Sequence, residues 1–169
     1  MNHAYFNETG KLVIEDVIGK QIIYRNFDGV PRGKYDKEGE KYFNVVLDDI
    51  DFAKQLRDDG WTVTIKEPNE EYAKPFAHMK VKVRYDNLPP IIHLIAGDSN
   101  VVLDEEAAAM LTHAEIVKAD MVINPSSYIN PSRTGIAAYL RSMYVEIEND
   151  PLEAKYRKRF AARDDEIPF

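Results

Sequence analysis

Between His78 and Tyr85 the chain alternates without a break: Met79, Val81, Val83 and Tyr85 take every second position, and His78, Lys80, Lys82 and Arg84 fill the others. Period two is the repeat of a β-strand with one face in a core and one in solvent. The solvent face of this strand is wholly basic or potentially basic. Such a strand needs neighbours, since one or two strands alone bury too little apolar surface.

The rest of the chain supplies them. Lys11 to Glu15 holds a short apolar run, and Lys20 to Phe27 is rich in β-branched and aromatic residues and closed by the turn signal Asp28-Gly29. In Lys41 to Leu47, Phe43, Val45 and Leu47 share one face; Trp61, Val63 and Ile65 alternate with Thr62, Thr64 and Lys66. Trp61 and Tyr85 fall on apolar faces and read as core. Ile91 to Ile95 and Val101 to Leu103 flank Gly97-Asp98-Ser99-Asn100 and predict a hairpin. Met121 to Ile123 and Ile136 to Ile147 complete the β segments. Asp48 or Asp49 predicts the N-cap of a short helix ending at Gly60, and Asp104 that of a second one lined by Ala107, Met110, Leu111 and Ala114. Residues 28 to 40 and 124 to 135 read as loops, the latter carrying Tyr128 and Arg133. The expected class is mainly β with helical insertions, a small barrel or sandwich with two short α-helices. Residues 1–150 form its domain and 151–169 a C-terminal tail.

The 169 residues suffice for one domain with a sizeable core. The absence of cysteine removes disulfides, thiol catalysis and thiolate metal sites. Neither a signal segment nor an apolar run long enough to span a bilayer is present, so the expected location is cytoplasmic, with no membrane partner. The four histidines lack ligand-like spacing, and no phosphate-cradling glycine loop or nucleophile elbow occurs. The acidic clusters Asp48, Asp49, Asp51 and Asp104, Glu105, Glu106 are the residues a metal-dependent nuclease would use, but both sit where helices begin, and capping accounts for them. No enzyme activity, cofactor or metal is expected.

A net charge of −7 argues at first against a nucleic-acid partner, yet the charge is segregated. Lys80, Lys82 and Arg84 project side by side about 7 Å apart along one strand face. Single-stranded nucleic acid requires a cationic groove for phosphates and aromatic faces for bases. The candidate contacts are Arg25 and Phe27, placed on one face of their strand; Lys34, Tyr35, Lys41 and Tyr42 in or beside the following loop; Lys80, Lys82, Arg84; and Arg133.

The last six residues, Asp164, Asp165, Glu166, Ile167, Pro168 and Phe169, lead three carboxylates into an apolar pair. Ile167 and Phe169 suit an apolar pocket ringed by Lys or Arg, and Pro168 limits the freedom lost on docking. This stretch resembles the acidic C-terminal tip of bacterial single-stranded DNA-binding proteins, which recruits replication, recombination and repair enzymes. A second resemblance covers roughly residues 20 to 150. Arg25-Asn26-Phe27, residues 43–48 and 59–63, residues 81–90 and residues 135–145 are similar to a group of phage-encoded OB-fold proteins that bind single-stranded DNA. The resemblances select the OB-fold among small barrels. They imply sequence-nonspecific protection of single-stranded DNA in phage replication, recombination and repair, in the cytoplasm of a bacterial host. The long linker of bacterial housekeeping members is missing, so their tetrameric assembly is not carried over, and homo-oligomerisation is left open. The competing expectation is an interaction module or inhibitor that displays the host tip without binding DNA.

Overall fold

The computed structural model describes residues 1–71 and 73–148; the tail and its tip, Asp164 to Phe169, lie outside them. The described chain is mainly β: β1 (His3–Phe6), β2 (Leu12–Ile18), β3 (Ile22–Asn26), β4 (Tyr42–Leu47), β5 (Val63–Lys66), β6 (Phe76–Lys82), β7 (Ile91–Ala96), β8 (Ser99–Leu103), β9 (Ile116–Ile129) and β10 (Thr134–Ile147). Two short helices interrupt it, α1 (Ile50–Asp58) and α2 (Glu105–Ala108), the second continuing as a 3-10 turn.

The strands pair in the order β1-β2-β9-β10-β6-β4-β3, with β5 added to β6 and the β7–β8 hairpin added to β10. Apart from two parallel pairings, β10 with β6 and β10 with β7, the ladders are antiparallel. No ladder joins β2 to β3, but these strands are consecutive, separated only by the 3-10 turn Gly19–Gln21. The sheet therefore curls back on itself as a partly open barrel, the OB-like architecture. Gly19 permits the corner: a Cβ there would run into the carbonyl of Ile116 at the start of β9.

Asn2 clasps the open side. Its N–H donates to Asp48 Oδ2 (2.8 Å), its amide nitrogen to the Val46 carbonyl (2.8 Å), and its Oδ1 accepts from the Asp48 N–H (3.2 Å). Asp48 is thus committed to the clasp, and Asp49 is the N-cap, accepting from the Phe52 N–H. Asp104 caps α2 through the Ala107 N–H.

Alternation explains the interior. Phe43, Val45 and Leu47 of β4, Met79 and Val81 of β6, Met121 and Ile123 of β9, and Leu140, Met143 and Val145 of β10 are all buried. Trp61 is buried and Tyr85 packs against the core, as their patterns required.

Three expectations change. The loop expected over residues 124 to 135 is strand on both sides of a tip at residues 130–133, because β9 and β10 form one long hairpin; Pro125 is tolerated where β9 has run past the end of β2 and has β10 alone as partner. The buried face of the second helix is Ala108, Leu111 and Thr112, while Ala107 and Met110 are exposed: the element tightens to 3-10 after one turn, which rotates its face. His78 does not join the solvent-facing cations. It is 9% exposed, with Nδ1 2.9 Å from Asn44 Oδ1, and burial lowers its pKa below the ordinary imidazole value.

Candidate nucleic-acid interface

Register places one polar row across four strands. Tyr42 on β4 opposes Lys82 on β6, and Lys82 lies beside Tyr139 on β10, which faces Asn124 on β9. Their flanking neighbours, Phe43, Val81 and Ala138, point into the core, so the row is on the outer side. One step along, Asn44 opposes Lys80. The side chains interleave as cation and ring: Lys80 Nζ lies 4.3 Å from the centre of Tyr42, Lys82 5.7 Å from Tyr139, Arg84 5.9 Å from Tyr139, and Arg133 5.9 Å from Tyr128. Each contact is worth about 0.5–1 kcal/mol at an exposed site, enough to hold a long side chain over the sheet.

Four clefts join along this face, sharing Lys80, Lys82 and Arg84 as walls. The first, about 480 Å³, lies between Tyr24, Tyr42 and Lys80. A second of about 370 Å³ runs between Lys80, Lys82, Tyr128 and Arg133. A third of about 620 Å³ takes Lys82, Arg84 and Tyr85, and a fourth of about 340 Å³ takes Arg84, Asn124 and Tyr139. The result is a trough whose cations are spaced along β6, the segment after it and the β9–β10 tip, and whose rings stand between them.

Carboxylates answer some of these charges. Glu40 is 3.7 Å from Lys80, and Asp86 is 3.3 Å from Arg84. Both pairs are solvent-accessible, so they hold weakly and yield to a competing phosphate. Asp36 accepts from the Tyr42 hydroxyl (2.8 Å) and from the backbone N–H groups of Arg32 and Gly33. These donors hold the Asp36 carboxyl below its ordinary pKa, while burial and Asp36 push the Tyr42 phenol up. Hydrogen bonding to the Tyr139 hydroxyl, with help from Asp86, raises Arg84 further above an already high value.

Residues 3–167 match the family described as "Putative phage ssDNA-binding domain". The chain belongs to this family. In fold it is similar to the single-stranded DNA-binding protein from bacteriophage Enc34, at TM-score 0.54 and 14% identity, over 88% of this chain and 87% of that one. The same phage protein in complex with ssDNA gives TM-score 0.55 and 14% identity, over 88% and 92%. A search of curated proteins finds no match.

Against this family background the residues singled out from sequence divide. Tyr42, Lys80, Lys82, Arg84 and Arg133 line the trough. Lys34 and Tyr35 sit on the exposed loop before β4, Tyr35 at 87% exposure with the Lys34 amine 5.6 Å from its ring. Lys41 borders the third cleft, but its side chain is 13% exposed, paired with Glu105 at 2.5 Å and set over Tyr85. One placement is corrected, and one is shared with a structural role. Phe27 is 1% exposed and stacked on Phe43 in the core, so neither face is free for a base. Arg25 borders the first cleft, but its guanidinium donates to the carbonyls of Ile22 (2.8 Å), Ala114 (2.6 Å) and Gly19 (2.8 Å), tying β3 to the barrel corner and to the segment just after the 3-10 turn that follows α2. Burial lowers the Arg25 pKa, although it stays charged.

Tyr24 causes this exchange. Its backbone has φ of 51°, unusual for a bulky residue, and the β3–β4 register shifts between Ile23 and Asn26. The bulge breaks the alternation that put Arg25 and Phe27 on the outer face. It turns Tyr24 outward instead, 59% exposed, its ring edge-on to His78 at 5.8 Å. Tyr24, Tyr128 and Tyr139 were missed as site residues. A signal for Tyr128 was present in Gly135: the two are cross-strand partners, and the Tyr128 ring lies where a Gly135 Cβ would be.

Among the described residues no group of three or more His, Asp or Glu is arranged to hold a metal. No described helix is long and apolar enough to cross a membrane.

Proposed function

We propose that the chain binds single-stranded DNA without strong sequence preference, along the outer face of β4, β6 and β10. The supporting observation is the interleaving of Tyr42, Lys82 and Tyr139 in one register row, within clefts that share Lys80, Lys82 and Arg84. Phosphates take the cations, and bases stack on Tyr24, Tyr42, Tyr128 and Tyr139, each stack worth about 1–3 kcal/mol. In OB-folds this face, with its neighbouring loops, is the usual oligonucleotide surface. The phage relative solved with ssDNA supports the same reading.

Coating of this kind serves phage DNA replication, recombination and repair in the host cytoplasm. The tip Asp164-Asp165-Glu166-Ile167-Pro168-Phe169 then recruits partner enzymes, its acids meeting basic residues around an apolar pocket. The protein performs no bond chemistry.

Fluorescence titration with oligo-dT across salt concentrations tests the DNA reading. Tight binding is expected, with log K falling against log salt by about 0.7 per phosphate neutralised. Changing Lys80, Lys82 and Arg84 together to Glu should abolish binding. No binding by the unaltered protein at low salt refutes the proposal and favours a tip-bearing decoy. Removing residues 164–169 should abolish capture of repair enzymes while DNA binding persists.

A further inference from the structure

The β7–β8 hairpin extends the sheet beyond the trough and carries a feature the DNA-binding reading has not used. Tyr144 on β10 pairs with His93 on β7, and His93 pairs with Val102 on β8. The two rings are stacked, centres 4.6 Å apart and planes 7° apart. Val102, 62% exposed, is a low step beside the imidazole, and Tyr144 is 44% exposed. Asn100 steadies the imidazole, with Oδ1 3.2 Å from His93 Nδ1. The carboxylate neighbour, Asp120, spends one oxygen on the Asp16 N–H at 2.8 Å.

This pair shares the outer face with the trough. From Tyr139 to Tyr144 is five residues of β10, roughly 15 Å. A bulge between Leu140 and Ser142 inserts Arg141, which keeps the two tyrosines on one side although they are an odd number apart. Between them Ser142 is flanked by Val122 and Ile91, neither of them acidic, and Arg141 forms no ion pair among the described residues. The fourth cleft, lined by Tyr139 and Asn124, is also bordered by Leu88, which is 59% exposed and belongs to the segment leading into β7.

We infer that His93 and Tyr144, with Val102 as a floor, form a second base-stacking shelf, which holds the same DNA strand a few nucleotides beyond Tyr139. The inference rests on the DNA-binding reading and extends it: one molecule occupies a longer segment than the barrel face alone. A base laid on Val102 continues the two-ring stack as a third layer, and Arg141 takes the phosphate between the two sites. Stacking needs only a π-face, so the shelf lengthens the footprint without adding sequence preference.

The test is a series of oligo-dT lengths from about 4 to 16 nucleotides, the range occupied by single OB-folds, titrated against the full chain and against His93→Leu and Tyr144→Leu. Both variants should bind the shortest oligomers as the unaltered protein does and lose roughly 5- to 150-fold on the longer ones, the equivalent of one stacked base. Equal binding at every length overturns the shelf. So does an equal loss at every length, which assigns the pair to general structure. Should the variants fail to fold, a 5-iodouracil-bearing long oligomer on the unaltered protein decides: a photo-crosslink at His93 or Tyr144 supports the shelf, and crosslinks confined to the barrel tyrosines refute it. Failure of the unaltered protein to bind even short oligomers instead refutes the DNA-binding reading itself.

Discussion

Gly135→Ala tests whether Tyr128 is held where a base needs it. A Cβ at position 135 falls 2.5 Å from the Tyr128 hydroxyl oxygen and 2.6 Å from Cζ, against about 3.5–4.0 Å for an ordinary heavy-atom contact. The ring must therefore move by about 1 Å or more. It is an end of a side chain on the outer face, so it moves without disturbing the core, and folding stability should change by less than about 1 kcal/mol. DNA binding should suffer more. Losing one stack of about 1–3 kcal/mol lowers affinity roughly 5- to 150-fold. The slope of log K against log salt should stay the same, since no phosphate contact is removed. Tyr128→Ala should reproduce the loss, and the double variant should lose no more than either single one, because both remove the same interaction. Oligo-dT titration at three or more salt concentrations, with a thermal melt of each variant, measures all of this. Full affinity in Gly135→Ala, or additive losses in the double variant, refutes the assignment of Tyr128 to a stacking role.

Phe27→Ala should cost about 3–5 kcal/mol of stability from core loss, seen as a melting-temperature drop on the order of 10 °C, with DNA affinity kept below that melt; an intact melt and weakened DNA binding would return Phe27 to the interface. Glu40→Gln and Asp86→Asn remove competitors for Lys80 and Arg84, so each should strengthen oligo-dT binding several-fold at low salt and little at high salt; weaker binding contradicts the trough. His78 has a lowered pKa when folded, owing to burial and to the nearby charge of Lys66, so the unfolded chain binds the proton more readily. Its neutral form is stable in the fold above about pH 6.5, and stability falls as pH drops below that value. Thermal melts between pH 7 and 5 should show this decline, and His78→Gln should flatten it.

The alternating segments were legible because period two requires only a strand with one wet face. His78 to Lys82 and Phe43 to Leu47 took the faces their patterns demanded, except where His78 was covered by Tyr24 and Asn44, and the hairpin around Gly97 formed as its turn signal predicted. The caps at Asp49 and Asp104 were equally local, each a carboxylate accepting from a backbone N–H three residues on. Residues 124–129 were read as loop for their Pro, Ser and Asn content, and only the partner strand β10, with Ala138 opposite Pro125, made them extended. Local composition reports a turn tendency, and a long hairpin outweighs it.

Sequence alone therefore determined the β class, the two caps and the cationic stripe Lys80, Lys82 and Arg84, since each depends on spacing within one short segment. Tertiary structure decided which aromatics face that stripe. A single bulge at Tyr24 sent Phe27 to the core and Tyr24 outward, and the pairing of β10 with β6 brought Tyr139 beside Lys82 from 57 residues away. A bulge reverses the side of every residue after it, and a ladder joins residues without regard to their distance in the chain.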